Sequence, residues 1–143
     1  MRDLYLPLLA EEAHLAGVRC SGAWYDFGRP SLYRDAQLRM LRGRGRVLVG
    51  SGARVASAAA VRRSVLGARS RVAKGTRVER SVLWPDAVVE AGARVARSIV
   101  TTGGVVRAGE RAEDVIVLPL EALGTGDRAG VERHGDMAWV GIE

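Results

Sequence analysis

The chain has 143 residues, of which 48% are hydrophobic and only 5% aromatic, and its formal net charge is +6. That is one domain's worth of chain, short for a complete nucleotide-using enzyme and too apolar to be disordered throughout. Lys74 is the only lysine and Cys20 the only cysteine, so the charge is an arginine bias, and neither an intrachain disulfide nor a cysteine metal site can form.

In chain order, the first expected element is a helix from Asp3 to about Ala16. Leu4, Leu8, Leu9, Ala13 and Ala16 fall at helical spacing, Asp3 suits the cap, and Pro7 is tolerated near the first turn. Val18-Arg19-Cys20-Ser21 reads as a short strand. Pro30 suits the first residue of a second helix running to about Leu41, with an apolar face of Tyr33, Ala36, the Gln37 stem, Met40 and Leu41. Arg42-Gly43-Arg44-Gly45 is expected to end that helix and lead into the next region.

From Leu48 to Val117 the chain repeats with a period of 17. Val55, Val72, Val89 and Val106 form one column, and Val61, Val78, Val95 and Ala112 a second. Leu48, Val65, Val82, Ile99 and Ile116 form a third, and Gly75, Gly92 and Gly109 a fourth. Within a period the valines lie six apart, as in Val72 to Val78, which fits neither a helix nor a simple half-buried strand. Short extended segments separated by turns account for it, each pointing a β-branched residue inward. Three segments make a triangular coil, and coils stack at the inter-strand spacing of about 4.8 Å. One coil cannot bury its own inner face, so several must stack, and about four fit here. The three glycines are expected at turn positions with positive φ.

Residues 119–143 leave the repeat at Pro119. Glu121 to Gly135 is polar and Gly-rich, and Met137-Ala138-Trp139-Val140 could add a last strand. The expected division is therefore 1–44, 45–118 and 119–143.

Two sets of residues carry a family resemblance. Val55-Ala-Ser-Ala-Ala-Ala, Val72-Ala-Lys-Gly-Thr-Arg and Val89-Glu-Ala-Gly-Ala-Arg resemble hexapeptide-repeat proteins, which implies a left-handed parallel β-helix. Trp24-Tyr25-Asp26-Phe27-Gly28-Arg29-Pro30, followed by Leu32-Tyr33 and Ala36, resembles a W-x-D-x-G-x-P-x-x-Y-x-x-A segment of sugar-phosphate nucleotidyltransferases. In mannose-1-phosphate guanylyltransferases and related NDP-sugar pyrophosphorylases this segment closes the catalytic domain, and a hexapeptide β-helix often follows. The resemblance implies that residues 1–44 are the end of a nucleotidyltransferase-like domain in an enzyme making GDP-mannose or an NDP-glucose. It places a Mg²⁺ ligand on Asp26, a residue beside the sugar on Trp24, and a close backbone turn on Gly28. A carboxylate suits Mg²⁺, which takes one or two carboxylates plus substrate phosphates. Arg29 departs from the family pattern, which usually has a small residue there; it could reach a phosphate or cap the helix. Without a nucleotide-binding domain beside it, Asp26 reads in this chain chiefly as a turn aspartate before Gly28.

The Gly-rich phosphate loop, the signature basic residue and the second metal carboxylate of the family have no match. Gly50-Ser51-Gly52 lies inside the repeat and is not followed by a helix, as a phosphate cradle requires, and Gly124-Thr125-Gly126-Asp127 lies in the tail. The chain thus reads as the C-terminal third or so of such an enzyme, with no nucleotidyl transfer expected from it alone. A hexapeptide acyltransferase is the alternative, but His14 and His134 both lie outside the coils, where a general base would be needed between them. Two histidines are also too few for a three-histidine zinc site.

A stand-alone assembly or regulatory module is the third reading. End coils with open strand edges invite self-association, so homo-oligomerisation through Leu48–Val117 is expected, with a nucleotidyltransferase catalytic domain as a further partner. The columns Arg46, Arg63, Arg80, Arg97 and Arg77, Arg94, Arg111 stack like charges. Pairing with Glu79, Glu90, Asp86 or Glu110 is the expected relief, with an acidic partner as the alternative. The aromatics Trp24, Tyr25, Phe27 and Tyr33 lie away from these arginines, so no nucleic-acid interface is expected. Trp84, at a coil corner, is expected to anchor a packing or subunit contact. The N-terminus lacks an apolar signal-peptide core and no stretch could span a bilayer, so a cytoplasmic location is expected, with no membrane partner.

Overall fold

The computed structural model describes residues 2–11, 14, 16–41, 43, 45–124 and 129–143. The first coil is β1 (Leu48–Val49), β2 (Arg54–Val55) and β3 (Ala60–Arg62). The second is β4 (Val65–Leu66), β5 (Arg71–Val72) and β6 (Arg77–Glu79). The third is β7 (Val82–Leu83), β8 (Val88–Val89) and β9 (Arg94–Ala96), and the fourth β10 (Ile99–Val100), β11 (Val105–Val106) and β12 (Arg111–Glu113). β13 (Val115–Pro119) opens a fifth turn, and β14 (Val131–His134) and β15 (Met137–Gly141) form the terminal hairpin.

Each strand of the coils pairs in parallel with the strand 17 residues away, as in Leu48 with Val65 and Val78 with Val95. The outcome is a left-handed β-helix with three sheet faces. The inward side chains follow from the alternation of a strand. Val72, Val89 and Val106 fill the second face, and Val78, Val95 and Ala112 the third.

On the first face the inward column is Val49, Leu66, Leu83, Val100 and Val117, with the last four at 1% exposure or less. The column Leu48, Val65, Val82, Ile99 and Ile116 lies one residue earlier and therefore points outward. Leu48 is exposed, but the rest of the column is covered: Val82 and Ile99 are buried with Ile142, and Tyr33, Val65 and Ile116 pack against them. The first sheet is thus apolar on both sides, with the coil core behind it and residues from the N- and C-terminal segments in front.

The corners solve the backbone problem differently. At one, Gly75, Gly92 and Gly109 have φ of 71°, 72° and 74°, the left-handed region where a side chain is costly. At another, Arg63, Arg80, Arg97 and Asp114 take φ of 44° to 55° without glycine. The residues following these arginines, Ser64, Ser81 and Ser98, are fully buried. Each hydroxyl donates to a carbonyl two residues back, at 2.8 Å from Arg62, Glu79 and Ala96 respectively. Each also accepts an N–H from the next coil, at 3.2 Å from Ser81, Ser98 and Val115. A continuous serine ladder therefore satisfies groups that burial would otherwise orphan.

The terminal hairpin closes one end of the core. β15 pairs antiparallel with β13, from Val115–Gly141 to Pro119–Met137. Met137 and Trp139 join the core cluster there, so the expected last strand forms and caps the coils.

The N-terminal region differs more from expectation. α1 spans Arg2–Ala10 rather than reaching Ala16, and Ala13 lies outside the described residues. Pro7 sits inside it, and Tyr5, Leu6 and Leu9 are exposed, so no packed face extends so short a helix. Val18–Ser21 is not a strand: Val18 is 88% exposed, and among the described residues no neighbouring edge takes up its backbone. α2 spans Pro30–Met40, one residue short of the expected end, and its buried residues are Ala36 and Leu38, with Met40 exposed. In the link that follows, Arg42 and Arg44 lie outside the described residues. Among the described residues, no helix is long and apolar enough to cross a membrane.

Candidate functional site

Aromatic contacts link the Trp24–Pro30 segment to α2, and α2 to the coils. Tyr25 stacks on Phe27 at 6.4 Å, Phe27 meets Tyr33 edge-on at 6.0 Å, and Tyr33 meets Trp84 edge-on at 6.2 Å. Such pairs add about 0.5–1.5 kcal/mol each beyond area burial. Trp84 is therefore a packing anchor for α2. A polar tie reinforces it: Arg34 donates from Nη1 to the Arg97 carbonyl at 2.6 Å, while its other nitrogens are held by Asp35.

Within this segment the Asp26 carboxylate accepts the Gly28 N–H at 2.7 Å, an Asx turn. A Cβ on Gly28 would stand 3.0 Å from that same oxygen, so glycine fits the turn closely. Arg29 then takes extended backbone at the N-cap with no side-chain cap bond, and Pro30 starts the helix. Asp26 and Gly28 are thus brought together, while Trp24 is 83% exposed. Arg29, Ser31 and Arg34 line a cleft of about 460 Å³ with Asp114 and Glu143, so its basic and acidic groups offset each other.

Asp26 presents one carboxylate, with one oxygen already engaged by Gly28. Among the described residues no three His, Cys, Asp or Glu side chains converge as metal ligands. Gly50-Ser51-Gly52 forms the turn between β1 and β2, with no helix after it. Of the Gly124-Thr125-Gly126-Asp127 stretch, all but Gly124 lies outside the described residues.

Histidine placement held a surprise. His14 is exposed, but the hairpin carries His134 back onto the fourth coil. Its ring stacks on Trp139 at 3.8 Å, and its Nδ1 lies 3.4 Å from Glu110. The signal was not readable from spacing, because it depends on the antiparallel return of β14. Glu110 also accepts the Arg107 N–H at 2.8 Å, so it is a structural acceptor on the coil as well.

The arginine columns find relief only locally. Asp114 ends the corner column and is gripped by Arg97, with contacts of 2.6–3.0 Å. Those hydrogen bonds hold the Asp114 carboxyl below the ordinary carboxylate range. Asp86 is gripped by Arg69, outside both columns, and is lowered in the same way. Asp136 pairs with Arg107, again lowering its pKa, and closes the hairpin turn onto the coil. Of the four expected partners, among the described residues Asp86 alone forms an arginine pair; Glu90 instead accepts the Ala108 N–H and Glu110 faces His134. Among the described residues, Arg77, Arg94 and Arg111 carry no ion pair on the outer third face.

No curated protein matches the chain. The family model described as GlmU-like, C-terminal hexapeptide matches residues 41–114. That match takes in all four coils and ends at the last corner before β13. It covers just over half of the sequence, and with four coils in unbroken 17-residue register beneath it, the chain belongs to the GlmU-like C-terminal hexapeptide family.

Proposed function

We propose that this chain is the C-terminal part of a sugar-1-phosphate nucleotidyltransferase, with the β-helix as its assembly and regulatory module. The observation that carries the reading is the docking of α2 on the first face. Tyr33 on Trp84 and Arg34 on the Arg97 carbonyl tie α2 to the coils, and Phe27 on Tyr33 joins the Trp24–Pro30 segment to α2. A nucleotidyltransferase-like segment running directly into hexapeptide coils is the order expected of such enzymes. The mannose-1-phosphate guanylyltransferase group, making GDP-mannose, is the specific form favoured by the Trp24-x-Asp26-x-Gly28-x-Pro30 spacing, with NDP-glucose synthesis next.

In the complete enzyme Asp26 would lend its free carboxylate oxygen to Mg²⁺, and Trp24 would lie beside the sugar. The Mg²⁺ would neutralise phosphate charge, while this segment's own part is to hold Asp26 in a fixed turn. Phosphoryl transfer is largely positioning and charge stabilisation, so a segment without the phosphate loop lacks the principal catalytic parts. The partners are a catalytic domain bearing that loop and further copies of this chain, in the cytoplasm.

Two measurements test this. The purified chain is incubated with each NTP, a hexose 1-phosphate and Mg²⁺, and pyrophosphate is assayed; no release is expected. Its mass is then determined by light scattering at micromolar concentration, with an oligomer expected. Pyrophosphate release by the chain alone would refute its assignment as an incomplete enzyme, and a monomer would refute the assembly role.

A further inference from the structure

Charge is distributed unevenly along the axis of the β-helix. Residues 45–80 hold nine basic side chains and one acidic one, Glu79, whereas residues 109–143 hold eight acidic and three basic ones. The basic stretch forms the first two coils; the acidic one includes β12, β13 and the terminal hairpin. At the basic end, among the described residues, Arg69 alone makes an ion pair, and Arg54, Arg62 and Arg63 make none.

The same end is open. Among the described residues, β1, β2 and β3 each pair on one side only. Val49 and Val55 are 53% and 40% exposed, although Leu66 and Val72, one coil further on, are buried. An unpaired strand edge over an apolar floor is a template for another strand. At the far end of the same seven-stranded sheet stands another edge, β14, which among the described residues pairs only with β15. That edge carries Glu132, whose side chain is 78% exposed, and Glu121, in the short helix Leu120–Ala122 after β13, is exposed as well.

Joining two basic ends about a twofold axis would set Arg54, Arg62 and Arg63 against their own copies with no acid between them, a repulsive arrangement. Joining a basic end to an acidic one removes that repulsion and offers each open edge a partner. We propose that copies of this chain dock head to tail, the arginine-ringed first coil of one against the acidic hairpin end of the next. This rests on the assembly role above and deepens it by naming the contact and its polarity. The contact is heterologous, so it builds a series or, where the rotation closes, a ring.

Sedimentation velocity over a range of protein concentrations tests it. Association is expected to weaken at least about tenfold between about 0.05 M and about 0.5 M NaCl, as screening shortens the reach of the rim charges. The pair Arg54→Glu with Arg62→Glu, and the pair Glu121→Arg with Glu132→Arg, are each expected to lose self-association. Mixed in equal amounts, the two variants are expected to associate again, which also shows that both are folded. Wild-type association that ignores salt and both variants would overturn the head-to-tail contact while leaving the assembly role in place. A wild-type monomer under every condition would overturn both.

Discussion

The inward column Val49, Leu66, Leu83, Val100 and Val117 offers a quantitative test, because one substitution can be made at two depths of the same stack. Val100 is fully buried between Leu83 and Val117, while Val49 occupies the equivalent place in the first coil and is 53% exposed. Val→Ala removes the equivalent of two methylenes, worth about 1.6 kcal/mol on transfer at roughly 0.8 kcal/mol each. At Val100 the neighbouring rungs are tied by ladder hydrogen bonds and collapse poorly, so a cavity contribution raises the cost to about 2–3 kcal/mol. At Val49 about half the transfer contribution is absent and no closed cavity forms, which leaves about 0.5–1 kcal/mol. Urea unfolding followed by circular dichroism reads both, at about 0.5 M NaCl so that end contacts are screened. Equal losses at the two positions would refute the stacking argument, since they would mean that the first coil is as enclosed as the fourth.

Gly67→Ala is expected to destabilise by about 1–3 kcal/mol or more, because the new Cβ would stand 2.5 Å from backbone atoms of Trp84 and Pro85, which cannot swing away; a melting temperature equal to wild type would contradict the close stacking at that corner. Acid should loosen the corners and the hairpin in a defined sense. Asp86, Asp114 and Asp136 have pKa values lowered by their arginine partners, so their contribution is present above the unfolded carboxylate value and is lost as pH falls through the folded one. Stability measured from about pH 5 downward should therefore fall less steeply in Asp114→Asn than in wild type, and identical slopes would show that the Arg97 pair is energetically silent.

Legibility followed locality. The 17-residue period specified every rung pairing, because parallel stacking places identical positions above one another. The Asx turn at Asp26 and Gly28 and the start of α2 at Pro30 were readable for the same reason, since each involves neighbours in sequence. What stayed hidden depended on distant contacts. The Leu48–Ile116 column looked like core, and from Val65 to Ile116 it is covered, but from the outside. A sheet apolar on both sides loses the alternation that would distinguish its faces. The return of His134 to Glu110 and the replacement of Met40 by Leu38 in the packed face of α2 were equally out of reach, since both depend on how a flanking segment meets the coils. Val18–Ser21 had the composition of a strand but no edge to join.

The unbroken rung pairing also limits how such a molecule can change its length. Deleting or inserting one residue inside a coil would put arginines into the valine stack and end the serine ladder. Duplicating a block of 17 would preserve every vertical neighbour and lengthen the prism by one rung, about 4.8 Å. Size can therefore drift only in whole steps, like a ruler graduated in turns. The hairpin bearing Met137 and Trp139 must travel with the last graduation, and α2, already laid across the first face, marks how many steps its own span can cover.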